Sequence, residues 1–248
     1  MNPKTFLILV RWAFEEYLRF PMLEVLIASA IIGVLSQTSI ILLFKYNYSS
    51  LYMGTTLLFL FLTFSISAVF SRGFAGSLSR GEDKLLLSYP VKRAHLFLSK
   101  FIAMAFTFFV VFFAAFSMNI YLNVLSPFEP MFYVALFVLF LQVLLVCSIT
   151  VAISMVTKNE VVSILASVLL LFGIENLLGS TSYFSGEGRF RVIFAYFGRL
   201  IRGEAPFGLE NLVVTTDDII ITISVPLLVS TVLLVASFVY FTRFMEVD

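Results

Sequence analysis

Long runs of apolar residues, separated by short polar segments, dominate the pattern along the chain. A helix needs about 20 mostly apolar residues to cross the hydrocarbon core of a bilayer. Six runs approach or exceed this length, at residues 22–44, 51–71, 96–125, 131–156, 161–178 and 219–241. They are continuous and do not alternate with period two, which argues against a β-barrel. We predict an all-α membrane protein, a single domain over residues 1–248 with six membrane-spanning helices.

Polar residues before the first run are spaced as on one face of a helix. Lys4, Arg11, Glu15 and Arg19 follow one another at intervals of seven, four and four, with apolar residues between them. This pattern is typical of a helix that lies in the membrane interface. We therefore predict an interfacial elbow helix over residues 2–20. An ordinary juxtamembrane helix without a function of its own fits the pattern equally well.

Lysine and arginine are unevenly divided between the two sides that six spans define. Eleven of the 16 lie on the side of both termini, and five lie on the other side. Cytoplasmic loops of membrane proteins carry an excess of Lys and Arg, so the distribution predicts cytoplasmic termini. Four arginines oppose this trend: residues 179–218, on the side opposite to the termini, contain Arg189, Arg191, Arg199 and Arg202.

The same outer segment contains an amphipathic stretch. Its apolar residues recur at intervals of three or four, at Phe190, Ile193, Phe194, Phe197 and Ile201. A helix of about a dozen residues is too short to span, so we expect it to lie in the outer interface or to dip part-way into the membrane. One interpretation is a lid over the outer ends of the fifth and sixth spans. The other is an outer gate made by Phe190, Phe194 and Phe197.

Composition excludes several classes of function. Hydrophobic residues make up 60% of the chain and charged residues 12%, with a net charge of +1. A chain with so little net charge does not offer the broad basic surface that holds nucleic acid. Cys147 and His95 are the only residues of their types. We therefore expect no intramolecular disulfide and no structural metal.

The most charged loop joins the second and third spans. Residues 81–100 read GEDKLLLSYPVKRAHLFLSK. Glu82 and Asp83 suit the first turn of a short helix, because acidic side chains stabilise a helix N-terminus, and Pro90 ends that helix. Its leucines form an apolar face, which needs a surface to contact. The pattern alone favours the chain's own helices or the lipid headgroups, and a separate protein is the other possibility.

This loop resembles the cytoplasmic loop of ABC-2 type transporter permeases, the transmembrane subunits of ABC exporters. The family pattern is close to G-T-L-E-L-L-L-S-x-P-V-S-R, followed by an apolar stretch that ends in L-G-K. The matching positions are Gly81, Leu85, Leu86, Leu87, Ser88, Pro90, Val91, Arg93, Leu98 and Lys100. The departures are Glu82, Asp83, Lys84, Lys92 and Ser99. The stretch EEYLRFPMLEVL is similar to the elbow helix of the family, and YFTRFMEVD resembles its basic C-terminal ending.

The resemblance implies a permease dimer, expected to be a homodimer, with two separate ATP-binding subunits below it. Coupling to the ATPase would fall on Glu82, Asp83, Lys84, Leu85, Leu86, Leu87, Ser88, Tyr89, Pro90 and Arg93. A second cytoplasmic contact would fall on Lys158, Asn159 and Glu160. ATP and Mg²⁺ would be bound by the partner, because the sequence contains no G-x-x-x-x-G-K-[ST] segment. We thus expect a plasma-membrane transport subunit that is not itself an enzyme and needs no cofactor of its own.

Other classes of membrane protein fit the residues less well. An intramembrane metalloprotease needs paired His or Glu ligands, and EEYLR has one residue too few for an EExxxR motif. A secondary carrier would place ionisable groups near the membrane midplane, whereas Glu24 and Glu175 lie near the ends of their runs. A scaffold or channel subunit stays open. A hydrophobic or amphipathic substrate suits the composition best, and the residues leave Na⁺, a peptide or a polysaccharide open.

Overall fold

The computed structural model describes residues 3–17, 24–28, 31, 55–89, 91–122, 130–178, 185–203 and 209–244. These residues are helical apart from short connections, and no strand occurs among them. The helices are α1 (Pro3–Tyr17), α2 (Thr55–Ser71), α3 (Glu82–Leu87), α4 (Arg93–Leu122), α5 (Pro130–Thr157), α6 (Glu160–Leu178), α7 (Gly186–Arg202) and α8 (Thr216–Val239). A π-helical segment, Arg72–Gly76, and a helical turn, Ser77–Ser79, extend α2. Another π-helical turn, Tyr240–Phe244, extends α8.

Within the described residues, four helices are long and apolar enough to cross a membrane. They cover Phe59–Ser79, Arg93–Ala115, Pro130–Thr157 and Thr216–Phe244. The predicted fifth span forms α6, whose apolar part is shorter, at Glu160–Ile174. The expectation of an all-helical membrane-embedded protein is confirmed. Most of the predicted first span, 22–44, lies outside the described residues, so the count of six spans stays a prediction.

Helix α5 lies at the centre of the bundle and packs against α2, α4, α6, α7 and α8. Its most apolar window is 67% buried, whereas that of α8 is 22% buried. Helix α5 is therefore an interior helix, and α8 leaves most of its apolar surface for lipid. Aromatic rings join α2 and its extension to α4, with Phe70 and Phe101 centroids 5.9 Å apart and Phe74 and Phe97 centroids 5.3 Å apart. Such close packing stabilises helix association where lipid weakens the hydrophobic driving force.

Small hydroxyl side chains join α2, α5 and α6 inside the bundle. Ser163 Oγ lies 2.8 Å from Ser71 Oγ and 2.8 Å from Ser154 Oγ. Ser67 Oγ lies 3.5 Å from Thr150 Oγ1. Small residues let the helix backbones approach closely, and their hydroxyls hydrogen-bond across the interface. These serine and threonine side chains thus stabilise the contacts between α2, α5 and α6.

One end of the bundle gathers three segments that are distant in sequence. Arg80 Nη1 donates to Glu160 Oε2 at 2.8 Å, which places the α2–α3 turn beside the start of α6. The ring centroids of Phe97 and Phe241 lie 5.6 Å apart, which places the end of α8 beside the start of α4. The spanning helices therefore alternate in direction. Residues 72–95, the 157–160 turn and the end of α8 share one side, as the sequence predicted.

Much of the predicted coupling loop of residues 72–95 is helical, because helix continues through Ser79 and α4 already begins at Arg93. The polar stretch RGFAGSLS looked like the end of a span. Its residues nevertheless stay helical, and Phe74, Ala75 and Ser77 are buried against the bundle. The connection between the long helices is therefore short and is built mainly from α3.

Helix α1 follows the first half of α4. The ring centroids of Phe6 and His95 lie 6.1 Å apart, and those of Phe14 and Phe106 lie 6.0 Å apart. On the exposed side, Arg11 Nε donates to Glu15 Oε1 at 2.9 Å, which joins two of the four residues of the predicted polar stripe. The side chain of Lys4 and all of Arg19 lie outside the described part of the chain. Helix α1 is therefore fixed to α4 by its buried face.

Candidate functional site

Helix α3 is fixed to α4 by a buried ion pair. Lys100 Nζ lies 2.5 Å from Asp83 Oδ1, and the two side chains are 3% and 4% exposed. Asp83 lies in the first turn of α3, where a carboxylate also stabilises the helix N-terminus. Asp83, one of the residues predicted to contact the ATPase, is therefore buried inside the chain. The carboxylate is buried because Lys100 neutralises it.

The π-helical segment supplies the remaining partners of this ion pair. Lys100 Nζ donates to Gly73 O at 3.2 Å and to Ser77 Oγ at 2.9 Å. Ser77 Oγ in turn lies 2.8 Å from Asp83 Oδ2 and 2.7 Å from Gly73 O, and its one hydroxyl proton is donated to one of these two acceptors. A π-helix shifts the regular backbone bonds and is often found at functional sites. Here it turns the Gly73 carbonyl towards Lys100 and Ser77, which completes a closed polar cluster.

Arg80 joins α3 to α6. Its Nε donates to Glu82 Oε1 at 2.7 Å, and its Nη1 donates to Glu160 Oε2 at 2.8 Å. The hydrogen bond between Arg80 and Glu82 raises the pKa of the guanidinium and lowers the pKa of the carboxyl. Gly76 leaves room for this bridge, since a Cβ there would lie 2.6 Å from Glu160 Oε2. The two segments predicted to contact an ATPase are therefore joined to each other.

The leucines of α3 divide into two sets. Leu86 and Leu87 are partly buried and pack against the core of the chain itself. Leu85 is 65% exposed, and Tyr89, just after the helix, is 60% exposed. The buried pair matches the interpretation that this face rests on the chain's own helices. Leu85 and Tyr89 are the apolar residues of the predicted coupling surface that stay exposed in the single chain.

The other predicted coupling residues have smaller roles or cannot be placed. Ser88 Oγ donates to Leu85 O at 2.7 Å and so helps to end α3. Arg93 is the first residue of α4 and is partly buried. The side chain of Lys84 and all of Pro90 lie outside the described part of the chain.

The predicted second contact forms the turn between α5 and α6. Lys158 has a left-handed φ of 50°, and its N–H donates to Ser154 O at 3.1 Å, which ends α5. Asn159 Oδ1 accepts from Val162 N at 3.2 Å, which caps the start of α6. Lys158 and Asn159 are exposed. They lie on the same side of the bundle as α3, because Glu160 binds Arg80.

A groove with a volume of about 350 Å³ lies between α1 and α3. Helix α1 contributes Trp12, Glu15 and Glu16, and the other wall comes from Glu82, Leu85 and Leu86. Burial raises the pKa of the Glu16 carboxyl, although the charge of Lys100 opposes this effect. Glu16 Oε2 is buried and has no hydrogen-bond partner among the described residues. Sequence reasoning missed this groove, because it depends on how α1 and α3 pack.

The predicted gate residues lie inside the chain's own core. Phe190 and Phe194 are fully buried and stack with ring centroids 4.2 Å apart, and Phe59 of α2 packs against Phe190 at 5.9 Å. Phe197 is only partly buried. Helix α7 ends at Gly203, which has a left-handed φ of 79° and whose N–H donates to Arg199 O at 3.0 Å. The N-terminal half of α7 is therefore a packed element of the bundle.

Arg189, one of the four cations that opposed the charge rule, is buried inside the bundle. It is 2% exposed and donates through Nη2 to Gln142 Oε1. Gln142 is near the middle of the 28-residue α5, about 18 Å from the start of that helix at 1.5 Å per residue. The start of helix α7 thus packs beside the middle of α5, and its depth in the membrane stays a prediction. Sequence reasoning missed the buried arginine, because it assigned Arg189 only to the outer loop, although Arg189 lies four residues before Ile193 and so on the same helix face as the apolar stripe.

No group of three or more His, Cys, Asp or Glu residues that could hold a metal ion occurs in the described ranges. Comparison of the sequence with protein-family models and with curated proteins gave no match.

Proposed function

We propose that the chain is the permease subunit of an ATP-driven ABC-2 type exporter, which pairs with separate ATP-binding subunits. The single observation that carries this proposal is the exposure of Leu85 on α3 and of Tyr89 just after it, where a buried ion pair joins α3 to α4. Apolar side chains exposed outside the spanning helices often mark a surface that contacts another protein. The buried ion pair fixes the position of α3, so this surface is already in place for such a contact.

The connections around α3 suit a coupling role. Asp83 binds Lys100 on a membrane-spanning helix, and Arg80 binds Glu160 at the start of α6. A force applied to α3 by a partner would therefore reach α4 and α6 through short polar contacts. Elements joined in this way move together more readily than elements joined by a flexible loop.

The rest of the proposal follows from the sequence. The chain would form six spans and a homodimer in the plasma membrane, with both termini and α3 in the cytoplasm. Residues 2–20 would form the elbow helix in the cytoplasmic interface. ATP and Mg²⁺ would be bound and hydrolysed by the partner. The apolar composition favours a hydrophobic or amphipathic substrate that moves outward by alternating access.

A secondary carrier is the second candidate, and Arg189 is the observation that favours it. Ionisable groups inside a membrane protein commonly mark a substrate or ion pathway. Arg189 and Gln142 meet near the middle of α5. The two candidates differ in their energy source. A carrier would move substrate under an ion gradient without ATP, and the proposed exporter would not.

The test begins with purification of the tagged chain from native membranes under mild conditions. We expect a second protein that contains a phosphate-binding loop to co-purify, and the complex to hydrolyse ATP. The chain freed of that partner should hydrolyse none. A chain that purifies alone from native membranes and transports under an ion gradient would instead be a carrier.

Orientation has its own test in a Cys147→Ser background. Val213 and Lys158 are both exposed and lie at opposite ends of the bundle. A cysteine at Val213 should react with a membrane-impermeant thiol reagent added outside the cell, and one at Lys158 should not. The reverse pattern would place α3 outside and remove it from any cytoplasmic ATPase.

A further inference from the structure

The groove between α1 and α3 combines an apolar rim with three carboxylates. Leu85 and Trp12 are exposed at its edge. Glu15 and Glu82 each have an arginine partner, at 2.9 Å and 2.7 Å. Glu16 lies deeper, and its Oε2 has no hydrogen-bond partner among the residues described. One carboxylate oxygen in the groove is therefore without a hydrogen-bond partner that the described residues supply.

The charge of the groove decides between its possible occupants. Anionic lipid headgroups give the cytoplasmic leaflet a negative surface potential, so a groove lined by carboxylates would repel them. A buried carboxylate is stabilised most by a cationic donor that is desolvated with it. A methylene stem that carries such a donor would also cover the indole of Trp12 and the side chain of Leu85. Lysine and arginine side chains meet both requirements.

We propose that this groove binds a lysine or arginine side chain of the ATP-binding subunit, with an apolar neighbour of that residue packed on Leu85. The inference rests on the proposed function, since it names where and through which chemistry the partner docks. It also extends the docking surface, because the elbow helix α1 supplies half of the contact. The specificity of docking would then come from Glu16, and the apolar contact area from Trp12 and Leu85.

The test measures the affinity of the co-purified ATP-binding subunit for the full chain reconstituted in nanodiscs. Glu16→Gln and Leu85→Ala should each weaken binding by about tenfold or more, because each removes a central contact. Glu210→Gln and Leu200→Ala are the matched controls. Glu210 is exposed at the other end of the bundle, and Leu200 is 68% exposed there, close to the exposure of Leu85. Added salt should weaken wild-type binding more than binding of Glu16→Gln.

Four other outcomes would contradict the inference, and each has a different explanation. If the subunit binds both groove variants as tightly as wild type, the proposed function stands and the groove is not the docking site. If Leu85→Ala weakens binding and Glu16→Gln does not, the occupant carries no basic side chain. If the groove variants lose self-association instead, measured by mass photometry, the occupant is a second copy. If no ATP-binding subunit associates with the wild-type chain, the proposed function fails and this inference fails with it.

Discussion

Asp83 and Lys100 form a buried ion pair whose Oδ1 and Nζ atoms lie 2.5 Å apart, across 17 residues of sequence. The pair links the first turn of the short helix α3 to the membrane-spanning helix α4. Ser77 and Gly73 complete the hydrogen bonds around it. Because both charges are buried, the position of α3 depends on their mutual neutralisation.

The first prediction concerns this ion pair. Asp83→Asn leaves Lys100 as a buried charge without its counter-ion, so we expect a loss of about 3–5 kcal/mol in the free energy of unfolding. The double variant Asp83→Leu with Lys100→Met removes both charges and should be more stable than Asp83→Asn. Unfolding in detergent, followed by circular dichroism, measures both.

The control is the pair Arg191 and Glu187, whose Nε and Oε1 atoms lie 3.9 Å apart on the partly exposed side of α7. Glu187→Gln should cost less than about 1 kcal/mol. An equal cost for Asp83→Asn and Glu187→Gln would show that the Asp83–Lys100 pair does not position α3.

The second prediction concerns Gly76, which faces Glu160. Gly76→Ala places a methyl group 2.6 Å from the present position of Glu160 Oε2. The carboxylate is the end of a flexible side chain and can move, so we expect a cost of about 1 kcal/mol, at the low end for overpacking. In a Glu160→Ala background the cost should fall, because only the contact of the added methyl group with Arg80 Nη1, at 2.9 Å, is left.

Gly173→Ala is the control for Gly76→Ala. An added Cβ at Gly173 has no neighbour within 4 Å, so its effect should be the same in both backgrounds. If Glu160→Ala leaves the cost of Gly76→Ala unchanged, the glycine is not required by the bridge.

The third prediction concerns Gln142 and the buried Arg189. Gln142→Leu removes an acceptor from a buried guanidinium and should cost about 1–3 kcal/mol in unfolding free energy, measured in detergent. Gln142→Glu keeps an acceptor oxygen and should be more stable than Gln142→Leu. Ser148→Ala on the same helix is the control, because Ser148 Oγ donates only within its own helix, to Leu144 O at 2.6 Å. A Gln142→Leu protein as stable as wild type would contradict this assignment.

The fourth prediction is a pH dependence of stability that originates at Glu16. Burial raises its pKa above the ordinary value of 4.5, and the other charges that act on it are Lys100, Glu82, Asp83 and Arg80. The folded chain then holds the proton more tightly than the unfolded chain. Stability should therefore fall as the pH rises from 4.5 through the raised pKa, and the ionised carboxylate stays a cost at neutral pH.

Glu16→Gln should abolish this fall, so the variant should be more stable than wild type at neutral pH and equal to it in acid. Glu82 responds in the opposite sense, because its lowered pKa makes its contribution disappear as the pH falls. Wild type and Glu16→Gln share the contribution of Glu82, so a comparison of their stabilities at each pH cancels it. Glu15→Gln, which changes an exposed carboxylate of the same helix, is the control. No gain by Glu16→Gln at neutral pH would contradict a buried carboxylate at this position.

The sequence predicted the local elements well. The acidic first turn of α3 follows from local chemistry, and the structure has it. Apolar run length located the long helices from α2 onwards. These features depend on residues within one or two turns of each other.

Contacts between distant helices could not be predicted in this way. An acidic residue at a helix N-terminus is stable in water, so nothing local indicated that Asp83 is buried against Lys100. The division of the leucines, with Leu85 outside and Leu86 inside, follows from that ion pair. Arg189 is buried because Gln142, on another helix, supplies an acceptor.

The central claim is that the exposed side of α3 docks an ATP-binding subunit. A photo-crosslinking amino acid at Leu85, activated in living cells, tests it directly, with the same amino acid at Leu200 as the control at the opposite end of the bundle. The account predicts that Leu85 captures a protein with a phosphate-binding loop, identified by mass spectrometry, and that Leu200 does not. Capture of only lipid, or of only a second copy of this chain, at Leu85 in a transporting cell would contradict it.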